Sequence, residues 1–121
     1  DITASLVVIE QKGNLPFRIN RIYFSFDFKE GVSRGFHAHK SLHQIAISLR
    51  GSFRMDLDDG RSKESVVMNK PNVGIDLPPM IWHEMHEISL DCIILVLASD
   101  SYQEDDYIRD YGVFLNAVKP K

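Results

Sequence analysis

Short runs in which apolar and polar residues alternate recur along most of the chain, broken at brief intervals by glycine and proline. A period of two residues marks β-strands that bury one face. Arg21-Ile-Tyr-Phe-Ser-Phe-Asp27 alternates strictly, setting Ile22, Phe24 and Phe26 against Arg21, Tyr23, Ser25 and Asp27. His43 to Arg50 groups Ile45, Ile47 and Leu49 opposite Gln44, Ala46 and Ser48. After Gly51, the residues Phe53, Met55 and Leu57 alternate with Ser52, Arg54 and Asp56. Asp59-Gly60 reads as a hairpin turn, since both positions tolerate positive φ. Leu6 to Ile9, Ser65 to Met68, Gly74 to Leu77 and Asp91 to Ala98 supply further predicted strands, with breaks at Pro71, Pro78 and Pro79. Near the C-terminus, Tyr107, Tyr111, Phe114 and Leu115 recur at helical spacing behind Glu104-Asp-Asp106, a charge pattern suited to a helix N-terminus. The pattern predicts an all-β fold: an antiparallel barrel or jelly roll with a short C-terminal helix. Nothing helical separates the strands, which excludes a doubly wound α/β architecture.

Composition narrows the function classes. A length of 121 residues suits a single domain spanning residues 1–121, and the start at Asp1 leaves room for excision from a longer chain. The net charge of −3 and the lack of a basic stripe argue against nucleic-acid binding by phosphate neutralisation. The longest apolar run, Cys92 to Ala98, is too short to cross a bilayer as a helix, so no membrane association is expected. Cys92 is the lone cysteine, which rules out an intramolecular disulfide and suits a reducing compartment; a cytoplasmic location is expected.

Four of the five histidines fall in two short segments. In Gly35-Phe-His-Ala-His39, a strand conformation puts His37 and His39 on one face and Phe36 and Ala38 on the other. Imidazoles, with an ordinary pKa of about 6.5, can take and return protons at neutral pH. In Pro79-Met-Ile-Trp-His-Glu-Met-His86, the spacing of His83 and His86 prevents them from sharing a strand face, and His83 is expected inside. Two chemistries compete for the pair at 37 and 39: metal ligation, as in barrel oxygenases, and metal-free acid–base catalysis. Gln44 stands five residues after His39, where a metal-binding cupin usually carries glutamate, and a neutral amide is the weaker ligand. The balance leans toward proton transfer, with no metal or cofactor expected, and leaves metal ligation open at this point.

Gly35-Phe-His-Ala-His39, Gly51 and the Pro78 to His83 segment resemble the two cupin motifs. The chain more specifically resembles the dTDP-sugar 3,4-ketoisomerases. The match runs through Ser5-Leu-Val-Val-Ile-Glu10, Pro16-Phe17, Arg21-Ile-Tyr23, Arg34-Gly-Phe-His-Ala-His-Lys40, Leu57-Asp-Asp-Gly60, Trp82-His-Glu-Met-His86, Val96-Leu-Ala-Ser-Asp100 and Asp106-Tyr-Ile-Arg109. The resemblance implies movement of the keto group of dTDP-4-keto-6-deoxy-D-glucose from C4 to C3, on the way to 3-amino sugars of bacterial surface polysaccharides. It also implies a homodimer formed by strand exchange and, in some members, fusion to an acetyltransferase domain. His37 is the implied base at carbon. His39 and Tyr23 are the further catalytic candidates, and Arg21, Arg34, Gln44, His83 and Trp82 the candidates for holding substrate. Thr3-Ala4 stand where members carry Arg-Gly. An epimerase-like cupin, a metal-dependent oxygenase and a silent sugar-binding cupin remain as alternatives.

Overall fold

A computed structural model describes residues 3–120. Among them the elements follow in the order β1 (Arg21–Ser25), β2 (Arg34–His39), β3 (Gln44–Arg50), β4 (Phe53–Asp58), β5 (Lys63–Met68), β6 (Gly74–Leu77), β7 (Trp82–His86), β8 (Ile93–Ala98), β9 (Tyr107–Ile108) and α1 (Tyr111–Val118). All pairings are antiparallel. They build a four-stranded sheet in the order β1-β8-β3-β6 and a five-stranded sheet in the order β5-β4-β7-β2-β9. The expected all-β jelly-roll class with a short C-terminal helix is what the structure has, and its two sheets stay open without closing into a barrel. The two sheets face each other without a ladder joining them, and side chains from both inner faces fill the space between.

One end of that space is apolar. Phe53 and Met55 of β4, Met68 of β5, and Ile94 and Val96 of β8 pack there with Phe28 and Cys92. Truncating a buried aromatic such as Phe53, 1% exposed, to alanine costs about 3–5 kcal/mol at such a site. The other end is polar, and it inverts the simplest reading of the alternation. In β1 the apolar stripe faces outward, with Ile22 and Phe24 more than half exposed, followed by Phe26 just beyond the strand. In β3 it is Gln44, Ala46 and Ser48 that are buried against the interior, at 1–2% exposure. Ile47 and Leu97 are buried on the outer side of that sheet, where Val7, Val8 and Leu15 of the N-terminal segment lie close by.

Two predicted elements differ. Leu6 to Ile9 forms no strand, and Leu6 is 86% exposed; this β-branched run finds no ladder partner within the described residues. The predicted helix does not start behind Glu104-Asp-Asp106. Those residues make a 3-10 turn, and Tyr107 and Ile108 pair with His39 and Ala38 of β2. The reason is tertiary: the Asp106 carboxylate accepts the backbone N–H groups of Ser41 and Leu42 at 2.8 and 3.1 Å. Asp110 is the true N-cap, its side chain accepting the N–H of Val113 at 3.0 Å. α1 then covers the outer face of the five-stranded sheet through Phe114, packed with Ala38, Trp82 and Ile108.

Candidate active site

A β-bulge in β2 aims the histidines. Gly35 and Phe36 both take positive φ, at 91° and 61°, and the pairing of β2 with β7 shifts register between Gly35 and His37. The extra residue lets Arg34 and His37, three apart, line the same cavity, which a regular strand would forbid. Gly35 is obligatory. A Cβ there would stand 2.9 Å from the carbonyl oxygen of His83 and 3.3 Å from Cα of Glu84. The Gly35 carbonyl also receives a hydrogen bond from His37 Nδ1 at 3.0 Å. That bond fixes the tautomer and leaves Nε2 as the unprotonated nitrogen.

His83 is the direct cross-strand partner of His37, and the two rings meet with centroids 4.6 Å apart. His39 lies 5.0 Å from His37, and Tyr107, opposite His39 in register, lies 4.3 Å from it. Three imidazoles thus form one packed cluster, and burial favours the neutral form of each. It lowers the pKa of His37 below its ordinary value, against the opposing pull of the Gly35 carbonyl. His39 is pushed down to about 4 by burial and then by His37. His83 is pushed down to about 3 by burial, with His37 and His39 adding to the effect. His39 is 4% exposed, and neither of its nitrogens has a hydrogen-bond partner. Its Nδ1 approaches Asp106 Oδ2 at 3.4 Å, an ion-pair separation without hydrogen-bond geometry.

Tyr23 projects from β1 into the same cavity of about 460 Å³, bounded also by Arg21, Arg34, His37, Tyr102, Tyr107 and Arg109. The Gln44 side-chain amide donates to the Tyr23 hydroxyl at 2.9 Å, so the phenol's own proton remains available to a ligand. Burial raises the Tyr23 pKa and keeps it protonated. Arg21 stacks its guanidinium 5.0 Å over the Tyr23 ring, while its buried Nε has no partner. A second cavity of about 450 Å³ adjoins, sharing Arg21 and Tyr107 and reaching His39 and Asp106. Arg21, Arg34 and Arg109 therefore converge on the cavity that His37 lines, with Arg109 also paired to Glu104, an arrangement able to hold a polyanion beside a neutral imidazole.

The structure brings His37, Tyr23, Arg21 and Arg34 to the cavity wall and packs His39 and His83 with them. Gln44 is 2% exposed and lies behind Tyr23, so it acts on the cavity through the phenol and not as the direct sugar contact expected. Trp82 is a correction. It stands on the opposite face of β7 from His83, under α1 against Phe114, with its indole N–H donated to Glu84 at 2.9 Å. His86 is outside as expected, meeting Ser33 and Glu84. Sequence reasoning assigned no site role to Tyr102, Tyr107 or Arg109. The signal was an aromatic and basic cluster in Tyr102 to Arg109, obscured by its helical spacing.

Residues 1–119 match the family model described as FdtA, WxcM-like, C-terminal. The chain belongs to this family. It is 50% identical over 114 residues to a TDP-4-oxo-6-deoxy-alpha-D-glucose-3,4-oxoisomerase of Aneurinibacillus thermoaerophilus, covering 94% of this chain and 82% of that protein. A 3,4-ketoisomerase from Helicobacter canadensis superposes with a TM-score of 0.93 at 44% identity, over 98% of this chain and 89% of the other. QdtA, a sugar 3,4-ketoisomerase from Thermoanaerobacterium thermosaccharolyticum solved with TDP, gives 0.94 at 37% identity, over 98% and 86%. A variant of QdtA was solved with TDP-4-keto-6-deoxyglucose.

Proposed function

We propose that this chain is a dTDP-sugar 3,4-ketoisomerase that converts dTDP-4-keto-6-deoxy-D-glucose to the 3-keto isomer by histidine acid–base chemistry without a metal. One observation carries the mechanism: a neutral His37, locked with Nε2 free, faces a cavity rimmed by three arginines. His37 removes the proton from C3, which is acidified by the neighbouring C4 ketone, and an enediolate forms. Tyr23 donates to the oxygen that gains charge. A proton returns to C4 while the C3 hydroxyl loses its own, and the C3 ketone results. His39, beside His37 and reached from the second cavity, carries the proton between oxygens. Arg21, Arg34 and Arg109 hold the diphosphate, and His83 supports His37 from across the ladder.

The 3-keto product is set for amination at C3, which supports a role in 3-amino-3,6-dideoxy sugar synthesis for surface polysaccharides. The outward apolar stripe of Ile22, Phe24 and Phe26, together with the unpaired run from Leu6, supports a homodimer in which that run crosses to a second copy. The buried Cys92 thiol suits a cytoplasmic enzyme, and no helix among the described residues is long and apolar enough to cross a membrane. Incubation with dTDP-4-keto-6-deoxyglucose, followed by NMR of the sugar ring, tests the activity directly. Conversion to a C3 ketone is the expected result, and an unchanged spectrum overturns the proposal.

A further inference from the structure

On the outer face of the five-stranded sheet, away from the cavity, three side chains each turn one ligand atom toward a common point. Asp56 of β4 and Glu84 of β7 are directly opposite in register, and His86, two residues on, shares their face. His86 Nε2 lies 2.8 Å from Glu84 Oε1 and 3.7 Å from Asp56 Oδ2. All three ligand atoms fall within 4.8 Å of one another. A tetrahedral ion with bonds of about 2.0–2.1 Å sets its ligand atoms roughly 3.3 Å apart, a value the two observed separations bracket.

Each ligand is also held from behind. Ser33 Oγ meets His86 Nδ1 at 2.8 Å, the Trp82 indole N–H donates to Glu84 Oε2 at 2.9 Å, and Ser65 Oγ donates to Asp56 Oδ1 at 2.8 Å. Such outer partners orient metal ligands and fix the histidine tautomer. Arg54 donates to both Asp56 oxygens, at 3.0 and 3.4 Å, and also pairs with Glu87, so an ion at Asp56 competes with this guanidinium for Oδ2. A groove of about 290 Å³ opens onto Asp56 and Glu84, where Asp58 and Glu64 outnumber Lys63 and leave its wall net acidic.

We propose that Asp56, Glu84 and His86 form a peripheral site for a divalent transition-metal ion of the zinc class, separate from the sugar cavity. One imidazole nitrogen and two carboxylate oxygens favour such an ion over magnesium or calcium, which take all-oxygen shells. The ion takes the place of the hydrogen bond between His86 Nε2 and Glu84 Oε1, and the imidazole proton then sits on Nδ1, where it is donated to Ser33 Oγ. The ion clamps β7 to β4, and thereby steadies the strand that carries His83.

The test is calorimetric titration of the chelator-stripped full chain with zinc chloride and, in parallel, magnesium chloride. The expected result is one zinc ion per chain, with magnesium at least tenfold weaker. Zinc affinity should fall at least tenfold in Glu84→Gln and about 100-fold in His86→Ala, and stay unchanged in His43→Ala and His37→Asn. His86→Gln serves if the alanine variant does not fold, as judged by circular dichroism without metal. Zinc should raise the melting midpoint of the parent chain and not that of the His86 variant. Failure of the parent chain to take up zinc overturns the proposal. So does equal affinity in the Glu84 and His86 variants, and so does loss of binding in His37→Asn, which would move the ion to the cavity.

Discussion

His37 differs from the other histidines in having one nitrogen engaged and the other free within a cavity. Its replacement by asparagine keeps a polar group but no base. Turnover should fall by about 10²–10⁴-fold or more, with dTDP affinity by calorimetry nearly unchanged. Tyr23→Phe removes the donor to the developing oxyanion, and kcat should drop on the order of 10²-fold with little change in KM. In the proposed mechanism the arginines, and not the phenol, hold the diphosphate. The pH profile follows from the same two groups. A base with a lowered pKa stays neutral in acid, so the acidic limb of kcat/KM should lie below about pH 6.5. A phenol with a raised pKa stays protonated, so no alkaline loss from Tyr23 should appear before about pH 10. A limb centred above pH 7 on the acidic side would contradict this assignment of His37.

At the scale of elements, the bulge in β2 matters most. Gly35→Ala forces a Cβ against the backbone of β7 at a φ of +91°, and should cost about 2–3 kcal/mol in urea unfolding as well as activity. Most strands were legible in the sequence, because alternation in β1, β3 and β4 spans five to seven residues. The inward face was not. Periodicity distinguishes two faces of Arg21 to Asp27 but cannot say which is inside when the interior is built for chemistry and the exterior is apolar. The three-residue spacing of His83 and His86 did separate inside from outside, since it depends only on strand geometry. The two-residue β9 is too short to carry a period, so Tyr107 was absorbed into a helical pattern, and Arg109 went with it. Trp82 was misplaced because adjacency to His83 in sequence means opposition across a strand.

For the molecule as a whole, three neutral buried histidines set the response to acid. Their folded pKa values lie below the unfolded value, so the unfolded chain binds protons first as pH falls. Stability present above about pH 6.5 is therefore lost progressively down to about 4 for His39 and about 3 for His83. The slope is at most about 1.4 kcal/mol per pH unit for each histidine. Urea midpoints should fall between pH 7 and pH 4.5, and a His83→Gln variant should show a shallower fall. Association should be equally visible. Light scattering after gel filtration should give twice the chain mass, and Phe24→Asp should return a single-chain mass. The imidazole cluster has one more consequence. A second positive charge 5.0 Å from the first would cost about 3 kcal/mol even at an effective dielectric constant of 20. The cluster is thus a vessel with room for a single proton. In the proposed mechanism the isomerisation lifts one hydrogen from carbon and sets one back, so each cycle would end with the vessel empty and with no net uptake from the surrounding buffer.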